Sequence, residues 1–219
     1  MLLLTKKQRN NFSKIQLFIV GEMHGAKENI RIIKELVNIL DINIICFELE
    51  TKWNKEFAHF NRNNFLYKLK KEQWILDSGL FSLSHVNLVS WLLRRKKSVC
   101  AVRKEKKDWN VSEKETALYI NSLARKNRPE RILVIVGNSH ARKGTFTSKD
   151  EFGKKYIYKP MRLFLKDKAV SFLVRYSNSV AYNFGAIDLK DDVAYKKLEG
   201  LSMRVIPSSN SSFEYDILV

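Results

Sequence analysis

"IQLFIVGEMHGAKENIRIIKELVNILDINIICFEL", residues 15–49, decides the fold. Its opening run, residues 15–20, is short, apolar and β-rich between Lys14 and Gly21, the pattern of a buried strand. Residues 26–41 then carry apolar side chains at Ile30, Ile33, Leu36, Val37 and Leu40, which is helical spacing. Residues 42–49 return to an unbroken apolar strand pattern. Strand, helix and strand of these lengths make a βαβ unit with parallel strands and a right-handed crossover.

The alternation continues down the chain. Residues 51–97 read as helical: Trp53, Phe57 and Phe60 fall at i, i+4, i+7, and 83–97 is amphipathic with a basic last turn. Residues 98–103 form a third strand, and 112–126 a helix opened by Ser112 and Glu115 at capping-box spacing. "RILVIVG", 131–137, is a fourth strand. Beyond it lie a polar loop and strands at 169–177, 179–187 and 213–219, with "PSSNSS", 207–212, as a loose connection. The expected architecture is α/β: a mostly parallel sheet in αβα layers, a helical insertion after the second strand, and a β-rich C-terminal part. With no internal repeat and no Pro/Gly/Ser linker, residues 1–219 read as a single domain.

In a parallel sheet the C-terminal strand ends lie along one edge, where ligands bind. Gly21-Glu22-Met23-His24 follows the first strand, Glu48-Leu49-Glu50 closes the second, and Gly137-Asn138-Ser139-His140 follows the fourth. Residues two apart share a side of an extended chain, so Glu22 pairs with His24, Glu48 with Glu50, and Asn138 with His140. Glu22, His24, Glu48 and His140 are therefore the candidate catalytic cluster. Asn138 and Arg142 are candidate ligand contacts, Arg142 for an anionic group. Glu50, beside Lys52, reads equally well as a salt-bridge partner.

Carboxylate and imidazole without thiolate suit a divalent ion such as Zn²⁺, Mn²⁺ or Fe²⁺, held here by Glu22, His24 and His140, with Glu48 as ligand or general base. Such an ion would activate water for hydrolysis. Without it, a Glu–His pair still serves as general acid and base. "GNSHA", 137–141, approaches the nucleophile-elbow pattern, but the sole histidine after Ser139 is its neighbour, so Ser139 is not the nucleophile. His59 reads as a core-edge residue, and His85, near a helix start, as a helix cap or a surface residue.

Composition sets further bounds. Forty Lys+Arg against 23 Asp+Glu give a formal charge of +17, which favours anionic partners. The basic residues are dispersed and no nucleic-acid-binding motif accompanies them, so nucleic acid is not indicated. In 52–74, basic and aromatic residues interleave, but the aromatics recur at helical intervals, as on a covering helix. Cys46 and Cys100, each inside an apolar run, read as reduced thiols. No segment has the ~18 apolar residues of a membrane span, and the N-terminal apolar run is too short for a signal peptide. The expected location is cytoplasmic; the charge is also compatible with a secreted effector.

"VGEMHG", "FELE" and "VGNSHA" in this order resemble the erythromycin esterase/ChaN/TIKI superfamily, over residues 15 to about 145. The G-E-x-H form at 21–24 is similar to the haem-binding ChaN-like branch, and G-x-x-H at 137–140 to the TIKI-type branch. The resemblance implies an α/β domain with Glu and His clustered at one sheet edge, Glu22, His24, Glu48 and His140 being the matching positions. In the enzymes of that superfamily these residues serve a metal or an activated water; in the haem binders the pocket holds haem. Two functions follow as expectations: a metal-dependent hydrolase of ester or peptide bonds in a small-molecule or peptide substrate, or a haem-type binding module whose basic surface docks an acidic partner.

Overall fold

The structure is a computed structural model that describes residues 4–149, 153–166, 168–176, 178–182, 186–190, 204–208 and 211–218. The elements run, in chain order, α1 (Lys6–Phe12), β1 (Leu17–Glu22), α2 (Asn29–Ile39), β2 (Ile44–Glu50), α3 (Asn54–Ala58), α4 (Arg62–Lys71), α5 (Gln73–Asp77) and α6 (Leu83–Arg94). There follow β3 (Ser98–Arg103), α7 (Trp109–Lys126), β4 (Ile132–Gly137), β5 (Phe146–Lys149), β6 (Lys155–Tyr158), β7 (Ala169–Arg175), β8 (Asn178–Tyr182), β9 (Ala186–Lys190), β10 (Arg204–Pro207) and β11 (Tyr215–Leu218).

Among the described residues, the main sheet has seven strands in the order β10-β11-β7-β1-β4-β2-β3. Only the β10–β11 pair is antiparallel; all other neighbours run parallel. β1 lies at the centre and is buried along all six residues, which explains its continuous apolar run. β4 inserts between β1 and β2, so the ends of the first, fourth, second and third strands follow one another along the edge.

Each face of the sheet has its own core. On one, Ile32, Ile33, Leu36 and Val37 of α2 and Val86, Val89 and Leu92 of α6 pack with Phe18, Ile45 and Phe47. Phe12 of α1 meets Phe172 and Tyr215 edge-on, with ring centroids 5.7 and 5.1 Å apart. On the other face, Ala117, Ile120 and Ala124 of α7 cover Leu17, Ile19, Ile132 and Val134. Among the described residues, no helix is long and apolar enough to cross a membrane.

Three local expectations give way. The capping box does not open α7: Asp108 caps the helix by accepting the Val111 N–H, and Ser112, inside the first turn, donates to the Lys104 carbonyl at 2.6 Å. The polar stretch after residue 140 contains the β5–β6 hairpin, and the strand expected over 179–187 is instead the antiparallel pair β8–β9. Residues 183–185 of that expected strand, like 209–210 of the expected loose connection, lie outside the described residues.

Candidate functional site

Glu22 ends the central strand, and the chain turns at once. The Ala26 N–H donates to the Met23 carbonyl at 3.3 Å, with Gly25 at φ 78°, a left-handed conformation that suits glycine. The Asn29 side chain adds a 2.9 Å bond to the same carbonyl. This turn brings His24 back over the strand end, where Nδ1 lies 3.3 Å from Glu22 Oε1.

Glu48, on β2, is the hub. Its Oε2 accepts the Gly137 N–H at 2.7 Å and faces His24 Nε2 at 3.5 Å. Its Oε1 faces His140 Nε2 at 3.0 Å and Arg103 Nη1 at 3.3 Å. His140 follows β4 in a turn closed by its own N–H on the Gly137 carbonyl at 3.0 Å. Its Nδ1 lies 2.7 Å from Glu113 Oε1 and 2.9 Å from the Tyr158 hydroxyl. Glu113 Oε2 accepts the Met161 N–H at 2.6 Å. The result is a row of alternating charge: Glu22, His24, Glu48, His140, Glu113.

Burial sets the protonation of this row. Desolvation opposes charge on His24, but the carboxylates of Glu22 and Glu48 outweigh it and raise its pKa to about 9. His140 also pays for burial, yet the Glu48 charge and the Glu113 bond raise it to about 10. Burial works to raise Glu48 as well, but the charges and hydrogen bonds of His140 and His24 hold it well below the usual carboxylate range. Glu22 is raised above 4.5, because burial exceeds the help from His24; its Oε2 is buried without a hydrogen-bond partner among the described residues. Burial, with the Glu113 charge, raises the Tyr158 pKa, so the hydroxyl stays protonated at neutral pH.

The two histidines are held differently. The His140 side chain is 14% exposed and its contacts are short, whereas His24 is 20% exposed and its contacts are the longest of the row. His140, with Glu113 and Tyr158, is the more tightly held of the two imidazoles that line the cleft, and His24 is the more exposed. That cleft, about 360 Å³, is lined by Glu22, His24, Glu48, Arg103 and His140, by Asn138 and Ser139, and by Trp74, Leu80 and Trp109 at its apolar side. Trp74 and Trp109 are 40% and 47% exposed, so two indoles remain open to a ligand. Arg103 lies under the Trp109 ring, 5.2 Å from its centroid.

Two glycines let the strand ends approach. A Cβ at Gly21 would lie 2.9 Å from Ala141 Cβ, and one at Gly137 would lie 3.0 Å from His24 Nε2. Gly137→Ala should therefore displace the imidazole without disturbing the core. A loss of about tenfold in kcat/KM with an unchanged circular dichroism spectrum is expected; full activity would mean that His24 tolerates the shift.

The structure thus brings Glu22, His24, Glu48 and His140 together, with Asn138 in the cleft wall. Glu50 turns away to Lys52, 3.4 Å distant, because the β2–β3 register shifts between Phe47 and Glu50. Arg142 lies over the Phe146 ring, 4.5 Å from its centroid, outside the residues lining the cleft. His59 is exposed at the end of α3. His85 is a buried helix cap: its Nδ1 accepts the Ser82 N–H at 3.0 Å, and burial with the His24 charge lowers its pKa to about 3.

Arg103, Glu113 and Tyr158 were not among the expected site residues. Arg103 ends the third strand, so the strand-end rule that picks out Glu22 reaches it too. Glu113 falls four residues before Ala117 and seven before Ile120, on the apolar stripe of α7, where an acid is out of place. Tyr158 carries no local signal, since the hairpin that delivers it is polar.

The residues expected to hold a divalent ion do not fit one in this arrangement. Both ring nitrogens of His140 are taken at short range, by Glu48 at 3.0 Å and Glu113 at 2.7 Å, so it has none to offer a metal; His24 keeps one loosely held nitrogen, Nε2, 3.5 Å from Glu48. Among the described residues, no group of three or more His, Cys, Asp or Glu is placed to hold a metal ion.

No protein-family model matches the chain, and no curated protein matches it in sequence. Solved structures share its fold. The type III effector HopBA1 superposes with a TM-score of 0.59 at 12% identity, over 96% of this chain and 90% of that one. An erythromycin esterase, EreC, solved as a histidine mutant in its open conformation, gives 0.57 at 11% identity, over 94% and 76%. ChaN of Campylobacter jejuni, solved with cofacially bound haem, gives 0.48 at 13% identity, over 98% and 91%. These likenesses are ones of fold, and they agree with the α/β architecture expected from the sequence.

Proposed function

We propose that the protein is a hydrolase of small-molecule esters in which His24 is the general base. The observation that carries this reading is the row of two imidazoles between three carboxylates, ending at a cleft. In its neutral form His24 takes a proton from a water lying against the substrate carbonyl. Glu48 stabilises the imidazolium so formed, and Glu22 fixes the ring through Nδ1. His140, Glu113 and Tyr158 hold Glu48 and its strand end in place. Arg103, partly open to the cleft, stabilises the oxyanion that develops at the carbonyl. The Trp74 and Trp109 indoles take the apolar part of the ester.

An aryl ester such as p-nitrophenyl acetate is a suitable probe, since its leaving group needs no general acid. With a His24 pKa of about 9, roughly one molecule in a hundred carries the free base at pH 7. The enzyme-dependent rate should climb nearly tenfold per pH unit from 7 and level off near pH 9. His24→Ala should remove that limb and lower kcat/KM by about 10²-fold. Absence of hydrolysis across a panel of aryl esters, or an unchanged pH profile in His24→Ala, would refute the reading.

A further inference from the structure

We propose that Cys46 and Cys100 form an oxidative modification site, at which a hydroperoxide converts the two thiols into a disulfide joining β2 to β3. The cysteines are 54 positions apart in sequence, yet they are direct partners in the parallel β2–β3 register. Both are free thiols, with their sulfurs 2.8 Å apart. Adjacent strands lie about 4.8 Å apart, inside the roughly 4.4–6.8 Å Cα separation that disulfides span. Rotation of the side chains closes the bond; the strands need not move.

The two thiols differ in access. Cys46 is fully buried beneath α7, while Cys100 is half-buried on β3, the edge strand of the sheet. The edge is held firm beside it. The Asn54 side chain accepts the Ala101 N–H at 2.7 Å and donates to the Ala101 carbonyl at 3.0 Å, doing the work of a missing neighbour strand. Burial and the neighbouring Cys100 push the Cys46 thiol up, so Cys100 is the sulfur that meets the oxidant.

The chemistry has two steps. The Cys100 thiolate attacks the distal oxygen of the hydroperoxide, the O–O bond breaks, and Cys100 becomes a sulfenic acid as one water or alcohol leaves. Cys46 then attacks the Cys100 sulfur, the S–S bond forms, and the hydroxyl departs as water with the Cys46 proton. Two thiols are oxidised by two electrons and one peroxide is reduced, so nothing else is required.

The position gives the modification a consequence. Glu48 lies two residues beyond Cys46 and Arg103 three beyond Cys100, and these two side chains meet at 3.3 Å across the register shift. A disulfide would fix the strand separation immediately below that contact.

Intact-mass spectrometry of the folded protein, treated with hydrogen peroxide and then alkylated, tests the proposal without any enzymatic readout. A failed hydrolase reading would leave it standing. The expected result is loss of two hydrogens per chain, no alkylated cysteine, and a cross-linked peptide containing Cys46 and Cys100, all reversed by dithiothreitol. Cys46→Ser should stop at oxygen adducts on Cys100. The proposal is overturned if both thiols stay alkylatable, if oxygen adducts accumulate in the wild type with no internal disulfide, or if the disulfide links two molecules.

Discussion

Glu48→Gln should lower kcat/KM for ester hydrolysis by about 10³-fold and the melting temperature by ~10 °C. The reason lies in what Glu48 holds: His24, His140, Arg103 and the Gly137 N–H all meet its two oxygens. Glutamine keeps the shape and can still accept from Gly137, but it carries no charge to stabilise an imidazolium. Breaking a buried charge network at one member costs about 3 kcal/mol, because the remaining charges lose their partner. The variant separates two roles. If Glu48 merely packed the strand end, melting temperature and activity would both survive the isosteric change.

Alkaline unfolding follows from the same charges. The pKa values of His24 and His140, raised to about 9 and about 10 from an ordinary 6.5, mean that the folded state binds protons more tightly than the unfolded chain. Their contribution is complete below pH 6.5 and is lost as pH rises through 9 and 10. Each can tilt stability by at most about 1.4 kcal/mol per pH unit over that window. Glu48, held low, acts on the other side: its contribution is present above its ordinary pKa near 4.5 and is lost only as pH falls through its depressed value. Glu22, whose pKa is raised, contributes in the opposite sense to Glu48, and its part fades as pH rises above 4.5. Melting temperatures measured from pH 6 to 10 should fall steadily above pH 7, and Glu48→Gln should flatten that decline. An equally steep decline in the variant would place its origin outside this row.

The strands that hold the site were legible because burial on both sides leaves unbroken apolar runs, and each run stops where a polar residue reaches the edge. That is how Glu22, His24, Glu48 and His140 could be named from spacing alone. Glu50 misled because period-two alternation assumes a regular strand, and β2 shifts register before it gets there. The start of α7 misled for a related reason. Ser112 has the composition of a cap, but its hydroxyl answers to Lys104 while Asp108 does the capping. Tyr158 and the hairpin carrying it depend on tertiary contacts: Asn110 of α7 bonds the Ile157 carbonyl and the Lys159 N–H. No local pattern encodes that docking.

The order of the strands also bears on how the site would come apart. β1 and β4 are interior strands paired on both sides, while β3 is the rim, held along its open side by Asn54. Amide protons of Val20, Gly21 and Val136 should exchange with solvent only when the whole sheet opens, and those of β3 through smaller, more frequent openings. An excursion that peels β3 away would take Arg103 with it and leave the Glu22–His24–Glu48–His140 row seated. The cleft can thus lose the Arg103 guanidinium for an instant and regain it, without ever dismantling the row of carboxylates and imidazoles beside it.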